Sequence, residues 1–290
     1  MKSKAKKVYK IVECPRDAMQ GMKGYIPAEL KAAYINQLLK VGYHTIDFGS
    51  FVSPKAIPQM RDTAEVLGML DLEKTKSKLL AIVANERGAR DACTFEEIDF
   101  LGYPFSISET FQQRNTNSSI EQSLVRVEQI QSLASKHNKS VVIYISMGFG
   151  NPYGDPWNVE ICQKWVDVLA DMDIKIIALS DTIGVANPNS IKYLFSNLIP
   201  PYPDVEFGAH LHTQAHNWHE KVEAADLAGC KRFDSAIKGY GGCPMAKDDL
   251  TGNMATENVL SYFKEQGKDL NLNDSAFEKA LEMSAGIFPL

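Results

Sequence analysis

The chain has 290 residues, with 31 Lys and Arg against 36 Asp and Glu and a formal net charge of -5. That balance excludes a global attraction for nucleic acid, and no run of ~18 apolar residues is present to span a membrane. With 44% hydrophobic and 23% charged residues, the composition is that of an ordinary globular protein with a sizeable core.

Five lysines in the first ten residues are followed by no apolar stretch, which reads as a solvated terminus rather than a secretory signal. Cys14, Cys93, Cys162, Cys230 and Cys243 are odd in number, scattered, and form no Cys-x-x-Cys pair. Reduced thiols in a cytoplasmic protein are expected.

In chain order, strand-like runs fall near Val8–Cys14, Thr45–Phe48, Leu79–Ala84, Glu97–Phe100, Val141–Met147, Lys175–Leu179, Val205–His212 and Arg232–Ile237. They are rich in Val, Ile and Phe and mostly continuous, as strands buried on both faces should be. Helices are predicted between them. One follows Pro27-Ala28-Glu29 and closes at Gly42. Another, capped by Asn117-Ser118-Ser119, reaches about His137. Pro156 opens one to Met172, Pro188 opens one to Leu198, and His216–Ala228 ends at Gly229. Asn273–Gly286 reads as an additional C-terminal helix. Eight strands alternating with helices, without a linker, predict one domain over 1–290: an α/β fold, a (β/α)8 TIM barrel. A doubly wound open sheet is the alternative, and no glycine-rich dinucleotide fingerprint follows the first strand to support it.

On a strand, His210 and His212 share a face, with Leu211 pointing away. Two imidazoles on one face suit a divalent metal, and two hydrogen-bonded core histidines are the other reading. In a barrel, functional groups gather at the carboxyl ends of strands. There the polar residues collect: Glu13-Cys14-Pro15-Arg16-Asp17, Asp47-Phe48-Gly49-Ser50, Ser180-Asp181-Thr182, the histidine pair, and the glycine-rich run Gly239-Tyr240-Gly241-Gly242-Cys243 followed by Gly252-Asn253. Each alone is weak: Arg16-Asp17 could be a surface ion pair, and Asp181 a helix cap.

Glu13-x-Pro15-Arg16-Asp17-x-x-Gln20, Ser50-Phe51-Val52-Ser53-Pro54-Lys55, Asp181-Thr182-Ile183-Gly184, His210-x-His212, Gly241-Gly242-Cys243-Pro244 and Gly252-Asn253-x-Ala255-Thr256-Glu257 occur in this order. From about Val8 to Glu257 the chain resembles the 3-hydroxy-3-methylglutaryl-CoA lyase family, among the metal-dependent TIM-barrel lyases and Claisen-type synthases. The resemblance implies Asp17, His210, His212 and Asn253 as ligands of a Mg²⁺ or Mn²⁺ ion, a sensible oxygen and nitrogen set for a six-coordinate hard ion. It implies Arg16 as a catalytic arginine, Asp17 or His210 as the general base, and Cys243 as a catalytic thiol on a loop hinged by Gly239, Gly241 and Gly242. Asp47, Ser50, Asn115 and Thr182 are the implied substrate contacts beside Arg16. Glu13, Asp181 and Glu257 stand behind them. Cys243 as an apolar filler and Asn115 as a turn residue are the plainer readings.

The implied reaction cleaves 3-hydroxy-3-methylglutaryl-CoA to acetyl-CoA and acetoacetate. The implied partners are an acyl-CoA thioester and a second copy of the chain (a homodimer or other homo-oligomer). The alternatives are a Claisen-type acyltransferase, similar to isopropylmalate or homocitrate synthases, a lyase for a different 3-substituted glutaryl-CoA, and a barrel retained for binding. The pattern is not matched throughout. Asp47 stands where the family usually has glutamate, Ala178 where it has serine, Thr213 where it has aspartate, and Ala18-Met19 where Gly-Leu is commoner. These departures put the acyl group of the substrate in question.

Overall fold

The computed structural model describes residues 9–22, 24–242 and 251–288. Eight parallel strands close into a barrel in sequence order: β1 (Lys10–Glu13), β2 (Thr45–Ser50), β3 (Lys78–Ile82), β4 (Ile98–Ser106), β5 (Ser140–Ser146), β6 (Ile176–Ser180), β7 (Glu206–His210) and β8 (Arg232–Ser235). Closure is made by β1 on β8, with Lys10 opposite Arg232 and Glu13 opposite Ser235. The helices are α1 (Pro15–Gln20), α2 (Ala28–Leu39), α3 (Thr63–Leu67), α4 (Glu86–Cys93), α5 (Glu109–Thr116), α6 (Ile120–Lys136), α7 (Val159–Asp171), α8 (Pro188–Leu198), α9 (Trp218–Leu227), α10 (Thr256–Glu265) and α11 (Asp274–Ile287). The extra closing helix is α11, capped by Asn273 and tied to α2 where Gln37 Nε2 donates to the carbonyl of Ala276 at 2.8 Å.

The strands read as unbroken apolar runs because they are buried on both faces. Leu79, Ala81, Ile143, Ile145, Ile177 and Leu179 face the helices. Leu80, Ile82, Val142, Tyr144 and Ala178 alternate with them and, with Phe100, plug the barrel's interior. That interior also holds Arg232, fully buried. Gly208 makes room for it: a Cβ there would lie 3.1 Å from Arg232 Cδ and 3.4 Å from Ala178 Cβ.

The predicted elements differ from the observed ones in instructive places. Strand β4 runs past Phe100 to Ser106, through Gly102 and Pro104. The proline's nitrogen faces β3, where the ladder gives out: β3 ends at Ile82 opposite Gly102, and the Val83 N–H makes the last bond, to the Gly102 carbonyl at 2.8 Å. Strand β7 stops at His210, and His212 is instead bridged to Asn253. Helix α7 starts after Asn158, whose side chain accepts from the Ile161 N–H at 2.8 Å, leaving Pro156 in the preceding loop. Helices α1, α3, α4, α5 and α10 were not predicted. Among the described residues, no helix is long and apolar enough to cross a membrane.

Candidate active site

Pro15 at the first turn starts α1 directly after β1, which drops Arg16 and Asp17 onto the barrel rim. Both are buried, with relative exposures of 7% and 8%. Arg16 Nε lies 3.1 Å from each carboxylate oxygen of Asp47, and Nη2 donates to Asp47 Oδ2. Nη1 donates to Asp17 Oδ1 at 2.8 Å and to Gln20 Oε1 at 2.9 Å. Gln20 Nε2 and Asn253 Nδ2 complete the shell of Asp17, each at 2.7 Å. Burial works against the charge on Asp17, but the Arg16 guanidinium and His210 outweigh it and hold the carboxyl below its ordinary value. For Asp47 burial wins over Arg16 and pushes it up to about 6.

His210 and His212 lie with ring centroids 5.7 Å apart, and both line the same cavity as Arg16 and Asp17. The segment carrying His212 pairs with that carrying Asn253: the Thr213 N–H donates to Gly252 O and the Met254 N–H to Leu211 O, both at 3.0 Å. Lys221 Nζ fastens it from behind, 2.8 Å from both the His212 carbonyl and Asp181 Oδ2. Asp181 is thereby a support for His212 rather than a simple helix cap. Burial, then His210, lowers His212 to about 3, so its imidazole is neutral with a lone pair to offer. His210 Nδ1 sits 3.3 Å from Asp234 Oδ2. Burial opposes protonation there, but Asp234 outweighs it and raises His210.

An ionised carboxylate, an amide and two imidazoles fit a divalent cation. A tighter cluster, Cys14 with His210 and Asp234, has ligand atoms within 4.8 Å of one another. Burial and then the carboxylates around it push the Cys14 thiol well above its ordinary value, so no thiolate is available to a soft metal. Asp234 therefore serves as the carboxylate that orients His210 from behind, an arrangement common around metal-ligating histidines.

The cavity these residues line has a volume of about 470 Å³. Thr182 and Asn115 reach it as well; Asn115 does so from α5 rather than from a turn. Thr182 Oγ1 accepts the N–H of Met147 at 2.8 Å and holds that residue at a φ of 58°. Asp47 and Ser50 do not line the cavity. Asp47 backs Arg16, and Ser50 Oγ accepts the Val52 N–H at 3.2 Å. Glu13 and Glu257 fasten the chain after β8. Glu13 accepts the Ile237 N–H at 2.9 Å and the Thr256 hydroxyl at 2.6 Å, and Glu257 accepts the Lys238 N–H at 3.0 Å. Gly241 then passes so close over α1 that a Cβ would lie 2.7 Å from the Asp17 carbonyl. Cys243 lies outside the described residues, as does the lysine-rich start of the chain. Sequence reasoning gave no site role to Tyr144, Ser146, Ser180 and Arg114, which line the cavity. The first three were detectable as the inward positions of β5 and β6. Ala178, one inward step below Ser180, is sealed in the barrel interior and does not reach the cavity.

A protein-family model described as HMGL-like matches residues 9–283. The cytoplasmic 3-hydroxy-3-methylglutaryl-CoA lyase of Rattus norvegicus is 34% identical over 261 residues, covering 89% of this chain and 75% of the relative. The 3-hydroxy-3-isohexenylglutaryl-CoA/hydroxy-methylglutaryl-CoA lyase of Pseudomonas aeruginosa is 34% identical over 259 residues, 88% of this chain and 84% of that one. The crystal structure of the Bacillus subtilis HMG-CoA lyase superposes with a TM-score of 0.90 at 30% identity, covering 97% of this chain and 94% of the other. On this family match and these relatives, the chain belongs to the HMGL-like family of carbon–carbon lyases.

Proposed function

We propose that the chain acts as one catalytic domain cleaving 3-hydroxy-3-methylglutaryl-CoA to acetyl-CoA and acetoacetate, with Mg²⁺ or Mn²⁺ held by Asp17, His210, His212 and Asn253. The observation that carries this reading is the meeting of Arg16, Asp17, His210 and His212 on one cavity, with His210 Nδ1 already occupied by Asp234. When bound, the ion supplies Lewis-acid polarisation of the substrate's tertiary hydroxyl.

The chain's own residues do the rest. The hydroxyl proton passes to the Asp17–His210 pair, in which Arg16 keeps Asp17 ionised and Asp234 raises the imidazole. As the alkoxide becomes a ketone, the carbon–carbon bond breaks and its electron pair moves to the thioester, giving an enolate. Of the five N–H donors on a guanidinium, four on Arg16 are spent on Asp47, Asp17 and Gln20. The remaining Nη2 proton is the one available to the enolate oxygen. Cys243 is proposed as the acid that returns a proton to carbon, on the strength of its family resemblance.

A second reading keeps the chemistry and enlarges the substituent on the substrate's third carbon. It is favoured by the apolar side of the cavity, where Val52, Ala56, Ile57, Ile82 and Ala84 offer a wall with small side chains, and by the isohexenyl compound in the Pseudomonas relative's name. Buried, unpaired Cys14, Cys93, Cys162 and Cys230 support a reducing compartment such as the cytoplasm. The test is to incubate the protein and Mn²⁺ with a series of 3-hydroxy-3-alkylglutaryl-CoA esters and identify products by mass. Equimolar acetyl-CoA and keto acid are expected, abolished by chelation and restored by Mg²⁺ or Mn²⁺. Full activity in protein free of metal by elemental analysis overturns the metal assignment. Inert esters, with free thiol released from acetyl-CoA plus a keto acid, replace the lyase by a synthase.

A further inference from the structure

The floor beneath the cavity carries a column of charge that the mechanism above does not use. Glu206, Gly208 and His210 on β7 and Arg232 and Asp234 on β8 share the inward face of their strands. Gly208 stands opposite Arg232, and His210 opposite Asp234. From the amino ends of the strands upward, carboxylate, guanidinium, carboxylate and imidazole alternate. Arg232 Nη1 lies 3.4 Å from Glu206 Oε1, and Glu206 also meets Lys10. Arg232 Nε lies 3.9 Å from Asp234 Oδ1, and both side chains are fully buried. Asp234 Oδ2 in turn is 3.3 Å from His210 Nδ1. Among the described residues, Asp234 Oδ1 and Arg232 Nε and Nη2 have no hydrogen-bond partner.

A guanidinium keeps its charge inside a protein, so burying one is costly unless a carboxylate answers it. The chain also gives up a side chain at Gly208 to admit this one. Asp234 has two oxygens, and His210 engages only one of them. The charge of Arg232 below draws the other downward, which fixes the rotation of the carboxylate and leaves Oδ2 facing the imidazole. A carboxylate behind a metal-ligating histidine sets the tautomer and the direction of the ring, and whatever holds that carboxylate shares in the task. We propose that Arg232 is a positioning residue for the metal centre, acting through Asp234 to hold His210. The inference rests on the reading of His210 as a metal ligand. Glu206 and Lys10 balance Arg232 from its far side, away from the centre.

The experiment measures Mn²⁺ binding to the full-length protein, without substrate, by the loss of the free-ion signal in electron paramagnetic resonance. Arg232→Met should weaken Mn²⁺ binding about tenfold, the low end of what a partner behind a metal ligand is worth. Arg232→Lys keeps the cation and should bring the affinity back to within about threefold of wild type. In an Asp234→Asn background, Arg232→Met should cost no more than about twofold further, because the path through Asp234 is already cut. Glu206→Gln takes away the other partner of Arg232. It should lower the unfolding midpoint and leave Mn²⁺ affinity within about twofold. If Arg232→Met does not fold, Arg232→Gln, also without charge, carries the same expectation. Wild-type Mn²⁺ affinity in the uncharged variant, or an equal loss in Glu206→Gln, overturns the proposal. So does an undiminished loss in the Asp234→Asn background. A wild type that binds no Mn²⁺ removes the metal reading instead. The ring ¹⁵N resonances of His210 in metal-free protein then decide: they should move in the uncharged variant and stay in place in Glu206→Gln, and unmoved resonances in both overturn the role of Arg232.

Discussion

The cavity has two unlike walls. On the side of β1, β2, β7 and β8 Asp17 lines the cavity with Glu13, Asp47 and Asp234 behind it, all buried, and each is met by at least one donor. On the side of β5 and β6 stand Tyr144, Ser146 and Ser180, where two hydroxyls have no partner among the described residues. The difference follows from what each group costs when left alone. An uncompensated buried charge costs several kcal/mol, so the charged wall has to be completed by the fold itself. A neutral hydroxyl left open costs about 1–3 kcal/mol, which a protein of this size can sustain. Among the described residues the charged side is completed except at Arg232 Nε and Nη2 and Asp234 Oδ1, and the neutral side keeps the Tyr144 and Ser180 hydroxyls without partners.

The largest effect should come from breaking the charged wall at its centre. Arg16→Lys keeps the charge but loses the planar fork that spans Asp47 and Asp17 and the spare donor that faces the cavity. A fall in kcat of roughly two powers of ten is expected, with bound Mn²⁺ near normal by elemental analysis. Near wild-type kcat would remove Arg16 from the mechanism.

Next comes the strap across that wall. Gly241 has a φ of 92°, and a Cβ there would meet the Asp17 carbonyl at 2.7 Å and Asn253 Nδ2 at 2.8 Å. Gly241→Ala should weaken Mn²⁺ binding about tenfold and cost roughly 1–3 kcal/mol of stability, because backbone strain and displacement of Asn253 act together. Metal titration and thermal unfolding check both halves, and a variant with intact metal affinity would show that the strap is not needed to seat Asn253.

A smaller effect separates charge from hydrogen bonding within the same wall. Burial pushes Glu13 up to about 8, only partly offset by the Thr256 and Ile237 donors. Between its ordinary value of 4.5 and about 8, the folded state keeps a proton that the unfolded state has released. Stability from this group is therefore complete below pH 4.5 and is lost as pH rises through that window. Glu13→Gln carries no such proton, so its unfolding midpoint should fall less between pH 5 and 8 than that of the wild type. Parallel midpoint curves would show that Glu13 is ionised in the folded protein.

The smallest effect probes the neutral wall where it is already satisfied. Thr182→Val removes the acceptor of the Met147 N–H and should cost about 1 kcal/mol, a drop of roughly 2–4 °C in Tm. Its kcat should change far less than that of Arg16→Lys. A large kcat loss would move Thr182 from support into the chemistry.

Much of the architecture is legible in the amino-acid order because local physics writes it there. Strands sealed on both faces need continuous apolar runs, and all eight runs became barrel strands. Ser119 with Gln122 forms a capping box, and Pro188 opens α8 as its position suggests. Short α1 and α5 left no periodic signal, and Gly102 and Pro104 concealed the second half of β4. The polar groups at strand ends were equally visible. Arg16, Asp17, Thr182, His210 and His212 do line one cavity.

What only the tertiary structure decided is which side chains behind those motifs face a ligand and which face each other. Ser50 ends β2 and Asp47 lies within it, and the ring of the barrel turns Asp47 toward Arg16 and leaves both off the cavity wall. Tyr144, Ser146 and Ser180 look in sequence like interruptions of apolar runs. Strand alternation and register place them inward on one wall. Ala178 and Ser180 differ by one inward step, and closure of the barrel seals the first beneath the floor while leaving the second open to the cavity. Periodicity is a property of a segment and survives in one dimension. The partner of a buried polar group is set by eight strands closing at once, and no segment carries that information alone.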